Sequence, residues 1–113
     1  MIILDKPISV EELKVVADEL FGDMVKAVAD VRGGLIAIDA ELHSDLERLL
    51  LENGSNQEDL WGFNIYPEME GEDFIEFDSL INIRPRQNNR SRYVESEEIR
   101  ERITGIVCKF IGR

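Results

Sequence analysis

Val25-Lys-Ala-Val-Ala-Asp-Val-Arg-Gly-Gly-Leu-Ile-Ala-Ile-Asp-Ala-Glu-Leu42 is the stretch that decides the fold of this chain. The Gly33-Gly34 pair tolerates the positive φ of a type I′ turn, so residues 24–43 read as a β-hairpin. With Arg32 opposite Leu35, Val31 pairs with Ile36, Ala29 with Ile38, Ala27 with Ala40, and Val25 with Leu42. The eight residues of these last four pairs are apolar and share one face. The opposite face carries Asp30, Asp39, Glu41 and His43, with Lys26 opposite Glu41.

Upstream, Met1 to Leu4 reads as a short buried strand. Ser9-Val-Glu-Glu12 is a capping-box pattern that opens a helix. Val10, Leu13, Val16, Ala17 and Leu20 give that helix its apolar stripe, and Gly22 ends it. Downstream, Ser44-Asp-Leu-Glu47 predicts a second, short helix over about Asp45 to Glu52, with a strand as the alternative for its Leu-rich run. Leu60 to Tyr66 and Phe74 to Arg84 read as a second strand pair that ends at Pro85. In it Trp61, Phe63 and Ile65 alternate as core residues, and Gly62 marks a bulge or a close backbone approach. A last helix over about Ser96 to Ile111 carries Ile99, Ile103, Ile106, Val107 and Phe110.

The order β-α-β-β-α-β-β-α predicts one α+β domain over residues 1–113, with a mostly antiparallel sheet of about five strands. Its helices are expected on one apolar face of the sheet, and the other face is expected to be polar.

Composition narrows the function classes. The net charge of -11 disfavours nucleic acid and anionic membranes as partners. No apolar run approaches membrane-spanning length, and the start lacks a signal-peptide pattern, so a cytoplasmic location is expected. The single cysteine, Cys108, excludes an internal disulfide and a thiolate-rich zinc site, and its apolar surroundings predict a buried thiol.

Two constellations could carry chemistry. Arg84, Arg86, Arg90 and Arg92 fall within nine residues, together with Asn82 and Asn89. The thirty-five residues from Leu49 to Ile83 hold no Lys or Arg and nine acids. Forked guanidinium donors and amides suit a phosphate, sulfate or carboxylate, and equally suit the chain's own carboxylates. The other constellation is Asp39, Glu41 and His43, whose alternation in an extended chain aims all three one way. Such a set can hold a divalent metal or do acid–base work.

Glu41-Leu-His, Leu49-Leu-Leu-Glu-Asn-Gly-Ser55, Gln57-Glu-Asp-Leu-Trp-Gly62 and Phe77-Asp-Ser-Leu-Ile-Asn-Ile-Arg-Pro85 carry a family resemblance, which Gln87, Asn89, Arg90 and Arg92 continue. With these segments the chain resembles a family of small prokaryotic proteins classed as a domain of unknown function, DUF5674. The pattern departs at Asn88, where the family carries Gly. The resemblance implies a stand-alone cytoplasmic domain and no particular activity, cofactor or partner.

Three readings follow. The first is a domain that binds a small anionic ligand through Asn82, Arg84, Arg86, Asn89, Arg90 and Arg92, without a cofactor. The second is a metal-assisted hydrolase built on Asp39, Glu41 and His43, with a divalent cation. The third is an interaction module in which the arginine loop of one copy meets the acidic Glu68 to Asp78 segment of another in a homodimer.

Overall fold

The structure, a computed structural model, describes residues 1–112. Its frame is a five-stranded antiparallel sheet in the order β1-β4-β3-β5-β6. The strands are β1 (Ile2–Ile3), β3 (Val25–Asp30), β4 (Leu35–Ile38), β5 (Leu60–Ile65) and β6 (Ile75–Glu76). Two further strands, β2 (Ile8–Ser9) and β7 (Ile111–Gly112), form a separate parallel pair. The helices are α1 (Val10–Leu20), α2 (His43–Glu52) and α3 (Glu97–Phe110). The α+β class and the five-stranded antiparallel sheet are as the sequence predicts.

Helix α1 starts where the capping box places it. The Ser9 hydroxyl accepts from the Glu12 amide at 3.0 Å, and the Glu12 carboxylate accepts from the Ser9 amide at 3.4 Å. Ser96 caps α3 in the same way by accepting from the Ile99 amide. Helix α2 differs from expectation. It begins at His43 with Leu42 as its cap, and among the described residues no side chain caps its first amides. Ser44 lies inside the first turn.

The hairpin register is shifted by two residues from the one that the glycine pair suggests. Asp30 pairs with Leu35, Ala29 with Ile36, Val28 with Ala37, and Ala27 with Ile38. The cause is Asp30, whose Oδ1 accepts from the amides of Arg32 (3.0 Å) and Gly33 (2.8 Å). The Gly34 amide then returns to the Asp30 carbonyl. The side chain draws residues 31–34 into a four-residue turn, and a type I′ turn does not form. A shift of two preserves side-chain parity, so Val25, Ala27, Ala29, Ile36 and Ile38 still share one face. Strand β4 stops at Ile38, because Asp39 has a φ of 73°. Ala40 and Leu42 therefore leave that face, and Lys26 lies opposite Asn64 of β5 in place of Glu41.

Both faces of the sheet are covered. On one, Val25, Ala27, Trp61, Phe63 and Ile65 meet Leu13 and Ala17 of α1 and Ile103, Val107 and Phe110 of α3. On the other, Val28, Ala37 and Leu60 meet Leu46 and Leu50 of α2. The expected one-sided helix layer is corrected here, since α2 takes the face predicted to be polar. The apolar stripe of Leu46, Leu49 and Leu50 requires it. Burying a large side chain such as Phe63 or Leu50 contributes about 1.5–3 kcal/mol.

The predicted strand Phe74–Arg84 shortens to the two residues of β6. Beyond Phe77 the chain forms two 3₁₀ turns, Leu80–Asn82 and Pro85–Gln87. One side chain explains why. The Asn82 amide accepts from the Gly62 N–H (2.9 Å) and donates to the Gly62 carbonyl (2.9 Å), the pairing a neighbouring strand would make. It donates also to the Arg92 carbonyl at 3.0 Å. A Cβ on Gly62 would lie 2.6 Å from Ser79 Oγ, so the glycine marks a close approach by the chain itself.

Replacing Asn82 with Ala leaves the buried Gly62 groups without partners, and should destabilise the domain by about 3 kcal/mol. Urea unfolding measures this directly, and a loss below about 1 kcal/mol would show that the pairing is dispensable.

Candidate functional site

The six residues of the arginine constellation come together on one segment but serve different ends. Asn82 and Asn89 are buried, at 0% and 3% exposure. The Asn89 Nδ2 donates to the carbonyls of Asn82, Ser91 and Tyr93, and its Oδ1 accepts from the Glu95 amide. The Arg84 guanidinium stacks 4.2 Å over the Trp61 ring and donates to the carbonyls of Gln57 and Leu60. Burial pulls its pKa below the usual arginine value, against the opposing pull of Glu47. Arg92 grips Asp78 through both oxygens, at 2.7 and 3.3 Å. Arg86 and Arg90 are exposed, and among the described residues neither side chain has an ion pair or hydrogen bond. Asn88 stands at φ 60°, a left-handed conformation that Asn tolerates in place of Gly.

Glu95 fixes the end of this loop. One of its oxygens accepts from the amides of Arg90 and Ser91 and from the Ser91 hydroxyl, at 2.8–2.9 Å. Those donors, the Ser91 hydroxyl foremost, hold its carboxyl below the ordinary range.

Asp39, Glu41 and His43 do not converge. The Asp39 carboxylate lies 3.7 Å from the amino group of Met1 where the strand breaks. Glu41 is exposed, whereas His43 turns inward at 9% exposure. Its Nε2 bonds the Phe63 carbonyl at 2.8 Å, and since a carbonyl only accepts, Nε2 carries the proton. Burial lowers the imidazole pKa from 6.5, and the Phe63 bond partly opposes the shift. Among the described residues no three His, Cys, Asp or Glu side chains are grouped to hold a metal.

A different feature offers more room. An open cleft of about 1370 Å³ runs between the β6 segment and α3. Asp23, Glu72, Asp73, Glu76 and Asp78 line it, with Arg100 as the single cation among the described lining residues. Arg100 is already engaged. It donates to the carbonyls of Val94 and Glu95, and lies 4.9 Å over the Tyr93 ring. Tyr93 in turn meets Phe77 edge to face, with ring centres 6.2 Å apart.

Inside the cleft Tyr66 donates to Glu76 at 3.1 Å, and the Asn64 amide donates to the same oxygen at 2.9 Å. Partial burial, and then Glu76, raise the Tyr66 phenol above its usual range. Cys108 is exposed in the opposite wall, which corrects the expected buried thiol. The run of acids without Lys or Arg signalled this cleft, but only the folding of α3 across β6 makes a cleft of it. Among the described residues no helix is long and apolar enough to cross a membrane.

The depressed His43 pKa has a thermodynamic consequence. Above pH 6.5 both the folded and the unfolded chain keep the imidazole neutral, and it adds no pH dependence. As the pH falls below 6.5 the unfolded chain takes up a proton that the folded chain refuses, so stability drops until the folded pKa is reached. Urea midpoints between about pH 7 and pH 5 should fall in the parent and stay flatter in His43→Gln. An equal slope in both proteins would remove His43 from the account.

Searches among curated proteins and among solved structures find no match to this chain. A family model described as "Protein of unknown function (DUF5674)" matches residues 2–110, nearly the whole chain. The protein therefore belongs to the DUF5674 family of proteins of unknown function.

Proposed function

We propose that the protein is a binding module whose working surface is the acidic cleft between β6 and α3, and that its ligand is a positively charged, extended segment of a partner. The observation that carries this reading is the lining of the cleft: five carboxylates, of which Asp78 is already paired with Arg92, aromatic side chains, and one cation, Arg100. Strand β6 is the outer strand of the sheet and, among the described residues, has a strand neighbour on one side only. An extended peptide beside it gains main-chain hydrogen bonds, and its Lys or Arg side chains meet Glu72 and Asp73. The net charge of -11 steers such a ligand inward from a distance.

The anion-binding reading of the arginine loop draws less support. Asn82, Asn89, Arg84 and Arg92 are engaged within the chain, which leaves Arg86 and Arg90 as its donors. Those two cations favour a second reading, in which the segment entering the cleft is the arginine loop of another copy. The Arg92–Asp78 pair sets loop and cleft side by side, as a two-fold exchange requires. The metal-assisted hydrolase reading keeps no geometric support, since its three ligands do not converge.

An arginine-rich peptide titrated by calorimetry should bind the parent and lose roughly tenfold in affinity in the Glu72→Lys/Asp73→Lys variant, with a further loss as salt rises. Equal affinity in parent and variant sinks the cleft as the binding surface. For the second reading, sedimentation velocity at low salt should show a dimer that Arg86→Glu/Arg90→Glu dissociates. A monomer at every concentration and salt ends that reading and leaves the first one standing.

A further inference from the structure

We propose that a second, separate concavity, between the β3–β4 turn and α3, binds the phosphate group of a small anionic ligand. It is a shallow, open depression of about 450 Å³, lined by Arg32, Arg102 and Lys109 with Gly33, Gly34 and Gly105. Among the described residues no carboxylate lines it, although Asp and Glu outnumber Lys and Arg by 24 to 13 in the chain. Three cations from two elements therefore surround one small space, in a protein whose overall charge repels anions.

The frame around that space is rigid. The Arg32 and Gly33 amides are held by Asp30 Oδ1, whose partner oxygen accepts from the Ser55 hydroxyl at 2.6 Å. A Cβ at Gly33 would lie 2.9 Å from Asp30 Oδ2, so a larger residue there would push on the carboxylate that holds the turn. On α3, Arg102, Gly105 and Lys109 are spaced three and four apart and so share one helix face.

Gly105 is the residue that packing does not explain. It sits in the middle of a 14-residue helix, where glycine costs about 1 kcal/mol relative to alanine, yet a Cβ there would meet nothing within 4 Å. No neighbour demands the missing side chain. Its absence keeps the floor of the concavity open between Arg102 and Lys109. The Glu98 carboxylate holds Arg102 at 2.8 Å, but both groups are exposed, and such an i,i+4 pair yields readily to a dianion. Guanidinium forks suit carboxylate and phosphate alike, but three positive charges at one point favour the dianionic phosphate.

Amide chemical shifts followed during titration with inorganic phosphate and with pyrophosphate test the site, since each residue reports separately. Saturable shifts at Arg32, Gly33, Gly34 and Gly105 are expected, tighter for pyrophosphate. The Arg32→Ala/Lys109→Ala variant should weaken them by roughly tenfold. The Gly105→Ala variant, in which the helix is if anything more stable, should also bind more weakly because its methyl group enters the floor. Shifts confined to residues 86–92, or unchanged binding in either variant, overturn the proposal. Neither result bears on the acidic cleft, which this site does not touch.

Discussion

The pairing of the Asn82 amide with both backbone groups of Gly62 is the constraint on which the functional half of the molecule depends. Strand β5 is buried along its whole length, and its outer neighbour β6 is only two residues long. Past Glu76 something must satisfy the polar groups of β5, because a buried backbone group without a partner is costly. A single primary amide does so, with one donor and one acceptor in the geometry of a peptide group. That substitution frees the chain after Phe77 to leave the sheet, and the arginine loop exists because it leaves. Asn89 repeats the device one turn later, closing the loop onto carbonyls with a second buried amide.

Charge is arranged around this frame by function of place more than by sequence proximity. The arginines nearest one another in sequence part company in the fold. Arg84 covers Trp61 and the start of β5, Arg92 answers Asp78, and Arg86 and Arg90 face solvent. Arg32 of the β3–β4 turn, some seventy residues before α3 in sequence, meets Arg102 and Lys109 of that helix at one concavity. An acidic surface with local exceptions of this kind attracts cations broadly and admits anions only at chosen points.

Much of the fold was legible in the sequence where the signal is local. The Ser9–Glu12 box, the stripe of α3, and the alternation of Trp61, Phe63 and Ile65 each rest on spacing alone and each stands, while the stripe of α1 holds as far as Ala17 and its Leu20 is exposed. The hairpin kept its faces but not its register, because the Asp30 side chain competes for the turn amides that the glycine pair seemed to own. Phe74 to Arg84 reads as a strand because Ile75, Phe77, Ile81 and Ile83 alternate. Nothing in that alternation reveals that Asn82 points inward. The site was harder to read for the same reason. Asn82 and Asn89 look like ligand donors until their long-range partners are known, and His43 looks surface-bound until Asp39 breaks the strand before it. The acidic run was visible, but the wall that α3 supplies was not.

The short parallel pairing of β2 with β7 sets Ile8 beside Ile111 and Ser9 beside Gly112. Helix α1 follows the first of these strands directly and α3 precedes the second, and both helices share one core with the sheet. A ribosome emitting this chain releases the hairpin and α1 long before the residues that cover them. The main core stays open, with Trp61 and Phe63 exposed on one side, until residues 103–112 emerge. The main core therefore closes only once α3 and β7 are available, which makes its folding late and cooperative.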